Sequence, residues 1–113
     1  MTSPDPASVS LDEARALLRA NAAILVDVRE QHEWDAGHAA EAVHMPLREL
    51  DAAALPPGTE IIVTCRSGGR GTRATAALID AGLPARNLTG GMRRWQSAGH
   101  PLESADGTPG SVD

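Results

Sequence analysis

The sequence contains no lysine, no phenylalanine and no tyrosine, and it has a single cysteine. Without lysine, Schiff-base and amine-nucleophile mechanisms are excluded, because both need an amine that can shed its proton and a guanidinium cannot. With two tryptophans as the only large aromatics, stacking platforms for single-stranded nucleic acid are hard to build. All ten basic residues are arginine, and the formal charge of −5 argues against a general electrostatic grip on nucleic acid or anionic lipid. One cysteine cannot close an intramolecular disulfide or supply a Cys-rich zinc site. His32, His44 and His100 lack the one-turn spacing of a helical ligand pair, so no metal is expected. The segment Met1–Ser10 is polar, carries Pro4 and Pro6, and lacks the apolar stretch of a secretory signal. No apolar run reaches membrane-spanning length. These absences lead us to expect a cytoplasmic protein without a nucleic-acid or membrane partner.

What is present suffices for one compact domain. At 113 residues and 42% apolar content, a single core can form from Leu, Val, Ile, Ala and Met. Residues 1–7 and 103–113, rich in Pro, Gly, Ser and Asp, read as disordered tails around a domain spanning 8–102.

Inside those bounds, apolar runs alternate with helical patterns, which implies a mostly parallel sheet covered on both faces. Ser10 and Glu13 form a capping-box pattern, with Leu11, Ala14, Leu17 and Leu18 following at helical spacing to about Ala20. Ala23 to Val28 reads as a buried strand, Glu30 to Ala36 as a short helix closed by Gly37, and Ala42 to Met45 as a second strand. Leu47 to Ala54 is predicted helical and Glu60 to Thr64 is the clearest strand, β-branched and apolar. Thr72 to Ala81 is predicted to form a helix. Arg86 to Thr89 suggests a last strand, and a tight turn at Gly90-Gly91 leads to a helix bearing Met92 and Trp95. The Gly90-Gly91 pair lacks the further glycine and the lysine of a phosphate loop.

The strand ending at Thr64 runs directly into Cys65-Arg66-Ser67-Gly68-Gly69-Arg70, and a helix follows. The loop at the carboxyl end of a parallel strand is where open α/β sheets bind ligands. A helix beginning there presents unpaired N–H groups and a positive dipole end, both of which favour a thiolate. Gly68 and Gly69 permit the backbone to curl into an anion-binding nest, and Arg66, Arg70 and Arg73 add positive charge. A lone cysteine after an apolar strand is ordinarily an inert core residue. An inert thiol, however, needs neither the glycines nor the arginines.

These residues resemble the rhodanese family, whose active loop Cys-x-x-Gly-x-Arg is matched by Cys65, Gly68 and Arg70. Leu25-Val26-Asp27-Val28-Arg29-Glu30, Gly37-His38 with Ala42 and Pro46, and Leu88-Thr89-Gly90-Gly91 with Trp95 resemble the family's other signatures, in order, over about residues 8–102. The resemblance implies an α/β fold, a mostly parallel sheet of about five strands flanked by helices on both faces. It also implies a sulfurtransferase that needs no cofactor. Cys65 would take sulfur from a donor such as thiosulfate as a persulfide and pass it to a thiophilic acceptor, either a small molecule or a thiol-bearing protein. The sequence departs from the family's pattern at Ala39-Ala40-Glu41, where an apolar residue, a variable one and Gly are common. It departs again at Gly71, where a small hydroxyl residue is common.

The expected substrate-binding set is Arg66, Ser67, Gly68, Gly69 and Arg70, with Arg66 and Arg70 holding the leaving anion and backbone N–H groups cradling the sulfur. Arg73 is expected to be solvated. Asp27 and Arg29 are assigned structural roles, Arg29 pairing with Glu33, while His38 bonds backbone and Trp34 and Trp95 pack. Two rivals are a sulfur-relay or regulatory module for a partner protein and a cysteine phosphatase. A phosphatase needs five residues between Cys and Arg, whereas four separate Cys65 from Arg70 and the next position is Gly71.

Overall fold

The structure, a computed structural model, describes residues 7–112; the expected loose segment over Met1–Pro6, together with Asp113, lies outside them. The elements in chain order are β1 (Ser8–Val9), α1 (Leu11–Arg19), β2 (Ala23–Asp27), α2 (Gln31–Ala36), β3 (Val43–His44), β4 (Glu60–Thr64), α3 (Gly69–Asp80), β5 (Ala85–Leu88) and α4 (Gly91–Ser97). The strands form one sheet in the order β1-β5-β4-β2-β3, and every adjacent pair is parallel. β4 is central, so both its faces are covered and its residues Ile61 to Thr64 are fully buried.

Strand alternation sorts the apolar residues into two clusters, one on each face. Leu25, Ile62 and Leu88 point toward α1 and α4, packing with Leu11, Ala14, Met92 and Trp95. Val26, Ile61, Val63 and Ala85 point the other way, toward Ala74 and Leu78 of α3 and Leu55. In register, Val26 lies beside Val63 and Asp27 beside Thr64, so β2 and β4 end at one edge and deliver their following loops to the same side. No described helix is long and apolar enough to cross a membrane.

Three elements differ from the sequence expectation. Leu47–Ala54 is two short 3-10 turns, Leu47–Glu49 and Ala52–Ala54, instead of one helix. Leu50 is extended between them, and the Asp51 carboxylate accepts from Ala53 N–H, capping a new turn where a continuous helix would need Asp51 in its interior. Helix α3 starts at Gly69, three residues before Thr72, because the Gly68 carbonyl already accepts the Thr72 N–H at 2.9 Å. β1 has no sequence signature; two residues become a strand only by pairing with Asn87 and Leu88.

The stretch 103–112, which its composition casts as a tail, folds back onto the domain. Glu103 exchanges two backbone hydrogen bonds with His38, each 2.9 Å, and Ser111 N–H donates to Ala36. Leu102 and Val112 pack against the core beside Trp95, which supplies the apolar burial that composition alone understates. Gly37, read from the sequence as the end of α2, also gives way to the returning chain, since a Cβ there would overlap the backbone of Ser111.

Candidate active site

Cys65 follows the last residue of β4 and is 1% exposed, at the floor of the loop that leads into α3. Its Sγ accepts the Gly68 N–H at 3.0 Å. Gly68 has φ of +131°, a conformation that side-chain-bearing residues rarely adopt, and this is what turns its N–H inward. Of the N–H groups from Arg66 to Arg70 that were expected to surround the sulfur, that of Gly68 lies within hydrogen-bonding distance of it. The burial of Cys65 is common to reactive and inert thiols; the N–H aimed at Sγ and the start of α3 beside it are not features of an ordinary core cysteine.

The loop's other side is held by α4. The carbonyls of Cys65 and Arg66 accept the N–H groups of Met92 and Arg93 at 2.8 and 2.9 Å. The approach is close enough that a Cβ on Gly91, whose φ is +58°, would lie 2.5 Å from the Cys65 carbonyl oxygen. Gly90-Gly91 is therefore more than a turn: it lets a helix N-terminus dock on the backbone of the cysteine loop and satisfy two of its carbonyls. Spacing alone could not reveal this, because the partner lies across a strand and a helix.

The arginines distribute differently from expectation. Arg70, assigned to a bound anion, donates from Nη1 and Nη2 to the two carboxylate oxygens of Glu33 at 2.6 and 2.8 Å. The Arg70 guanidinium holds the Glu33 carboxyl down at about 2, against an ordinary value of 4.5. Glu33 thus does not pair with Arg29. Arg29 instead donates to Asp27 from Nε and Nη2 and to the Gly37 carbonyl, and its own N–H also reaches Asp27. Both residues are essentially fully buried, which fits the structural roles expected of them. Arg66 is half-buried, Ser67 and Gly69 are exposed at the loop crest, and Arg73 is exposed.

Around α2, His38 Nδ1 bonds the Trp34 carbonyl at 2.7 Å, the backbone role expected for it, and its ring stacks on Trp34 at 3.7 Å. Of the departures, Glu41 is exposed and lies 3.8 Å from Arg15, so its carboxylate is accommodated at the surface. Gly71 is buried inside α3. Among the described residues, no cluster of His, Cys, Asp and Glu could hold a metal ion.

Residues 10–98 match the profile of the rhodanese-like domain. The chain belongs to the rhodanese family. Among its relatives, a protein of Arabidopsis thaliana named thiosulfate sulfurtransferase 16, chloroplastic, is 32% identical over 88% of this chain and 94% of its own. Thiosulfate sulfurtransferase 18 from the same plant is also 32% identical, over 90% and 87%. Among solved structures, the human single-domain sulfurtransferase TSTD1 superposes with a TM-score of 0.74 at 32% identity, covering 83% of this rhodanese and 97% of the human chain. A rhodanese-related protein of Thermoplasma volcanium gives 0.78 at 27% identity, over 84% and 95%. The five-stranded parallel sheet with four helices is the fold that these neighbours share.

Proposed function

We propose that this rhodanese is a sulfurtransferase in which Cys65 carries sulfur as a persulfide between a donor such as thiosulfate and a thiophilic acceptor. The observation that carries the proposal is the Gly68 N–H held 3.0 Å from Sγ at the start of α3. In the first step the Cys65 thiolate attacks the outer sulfur of thiosulfate. A Cys65 Sγ–S bond forms, the sulfur–sulfur bond of the donor breaks, and sulfite departs with the electron pair. In the second, a nucleophile such as cyanide attacks the terminal sulfur and the Cys65 thiolate is released. The loop N–H groups and the dipole of α3 stabilise negative charge on sulfur in both states.

Arg66 and Arg70 remain the residues assigned to the donor's anionic end, with one modification. While Arg70 holds Glu33, its paired Nη groups are occupied, so an incoming anion must share them or be met from another direction. The relatives named thiosulfate sulfurtransferase support the general activity. Intact-protein mass spectrometry after incubation with thiosulfate tests it. The expected result is a gain of one sulfur atom, removed by cyanide and absent in Cys65→Ser. Absence of the adduct combined with efficient aryl-phosphate hydrolysis would favour the phosphatase.

A further inference from the structure

Asn87, on β5, stands immediately behind the cysteine loop. Its Nδ2 donates to the Gly68 carbonyl at 3.2 Å and to Thr72 Oγ1 at 3.1 Å, while Thr72 donates both its hydroxyl and its N–H to the same carbonyl at 2.9 Å. Gly68 is also the residue whose N–H meets Cys65 Sγ. One glycine is therefore gripped on its carbonyl side by Asn87 and Thr72 and offers its amide side to the sulfur.

The carboxamide reaches this place because residue 71 is glycine. A Cβ on Gly71 would overlap Asn87 Oδ1 and would sit 3.5 Å from Cys65 Sγ, so Asn87 fills the room beside the sulfur that a side chain at 71 would take. Its Oδ1 is buried there without a hydrogen-bond partner. Turning the amide over would bring that oxygen to face the Gly68 carbonyl, two acceptors opposed, so the donors fix the orientation and leave the oxygen orphaned. A buried unpaired carbonyl disfavours the fold, and its persistence calls for a compensating role.

We infer that Asn87 is a positioning residue for the Cys65 loop, holding Gly68 in the conformation that points its N–H at the sulfur, in the space that Gly71 leaves open. The inference rests on Cys65 being the reactive group of the site proposed above. In this role Asn87 acts through Gly68, whose carbonyl it holds and whose N–H meets the sulfur.

The test is a double-mutant cycle in the full chain, using Asn87→Ala, Gly71→Ala and the pair together. Two readouts are taken: the rate at which iodoacetamide alkylates Cys65, and kcat and KM with thiosulfate and cyanide. Asn87→Ala should slow both alkylation and kcat about tenfold, the effect of one hydrogen bond at the reacting group, with KM moving less than kcat. Gly71→Ala should do the same by pushing the carboxamide away, although alanine is the better helix former. The pair should be no slower than Asn87→Ala alone. Additive losses, or folded single variants with wild-type alkylation, would overturn the inference. If Asn87→Ala fails to fold, Thr72→Val, at an exposed helical position, takes its place, and an unchanged alkylation rate there counts against the grip on Gly68. Alkylation needs no sulfur transfer, so a wild-type protein that forms no persulfide yet shows the cycle's non-additivity in alkylation would sink the proposed function while leaving this role intact.

Discussion

Arg70 and Glu33 lie 37 residues apart in the chain and meet as a two-point ion pair, both guanidinium Nη groups on both carboxylate oxygens. The pair joins the start of α3 to α2, so the loop bearing Cys65 is tied to the neighbouring loop edge by charge as well as by backbone. Because the Glu33 side chain is only 12% exposed, solvent screens this pair less than it would a surface one.

The pair makes stability pH-dependent with a definite sign. The Glu33 carboxyl titrates at about 2 in the fold and near 4.5 when unconstrained, so its contribution is complete above 4.5 and is lost as pH falls toward 2. We expect Glu33→Gln to be less stable than wild type at pH 7 by on the order of 1–3 kcal/mol, with the difference shrinking between pH 5 and 2. Urea titrations across that range check it; a constant difference would show that the ion pair is not its source.

Arg70→Ala should raise KM for thiosulfate by about tenfold while Arg73→Ala, at an exposed position, stays within twofold of wild type. Arg70→Lys should not restore the loss, because a point charge cannot reproduce the two-point contact with Glu33. Steady-state kinetics with cyanide as acceptor decide this. A larger effect from Arg73 would mean that the donor approaches along the outer face of α3.

Cys65→Ser should abolish turnover while leaving melting nearly unchanged, since the hydroxyl is close in size and is a far weaker nucleophile at neutral pH. Measurable transfer by the folded variant would remove Cys65 from the reaction.

Gly91→Ala should cost more than Gly58→Ala, although both glycines have positive φ. At Gly58 nothing lies within 4 Å of a Cβ, so only the backbone conformation resists, worth about 1 kcal/mol. At Gly91 the Cβ would also press on the carbonyl oxygen of Cys65 and the backbone of Arg66, detaching α4 from the loop. Denaturant unfolding should show a loss larger by about 1–3 kcal/mol, together with reduced sulfur transfer. Equal losses in the two variants would deny the docking role of Gly91.

The local chain determined much of this protein. A β-branched run into Cys65, glycines at 68 and 69 and a helix beyond are contiguous, so strand, loop and helix could be read from spacing, and Ser10 capping α1 through Glu13 N–H is equally local. Tertiary structure decided which partner each charged or small residue meets. Glu33 stands one helical turn beyond Arg29 and invited that pairing, yet Asp27 was already in place for Arg29 and Glu33 was left to Arg70. Gly91 against Cys65 and Asn87 against Gly68 are likewise contacts between segments brought together by sheet order, and Ser111 against Gly37 is one made by the C-terminal stretch folding back. The physical reason is range: hydrophobic periodicity and capping act within a few residues and leave a mark in spacing. A hydrogen bond or close approach across the sheet depends on register and packing, which no single segment encodes.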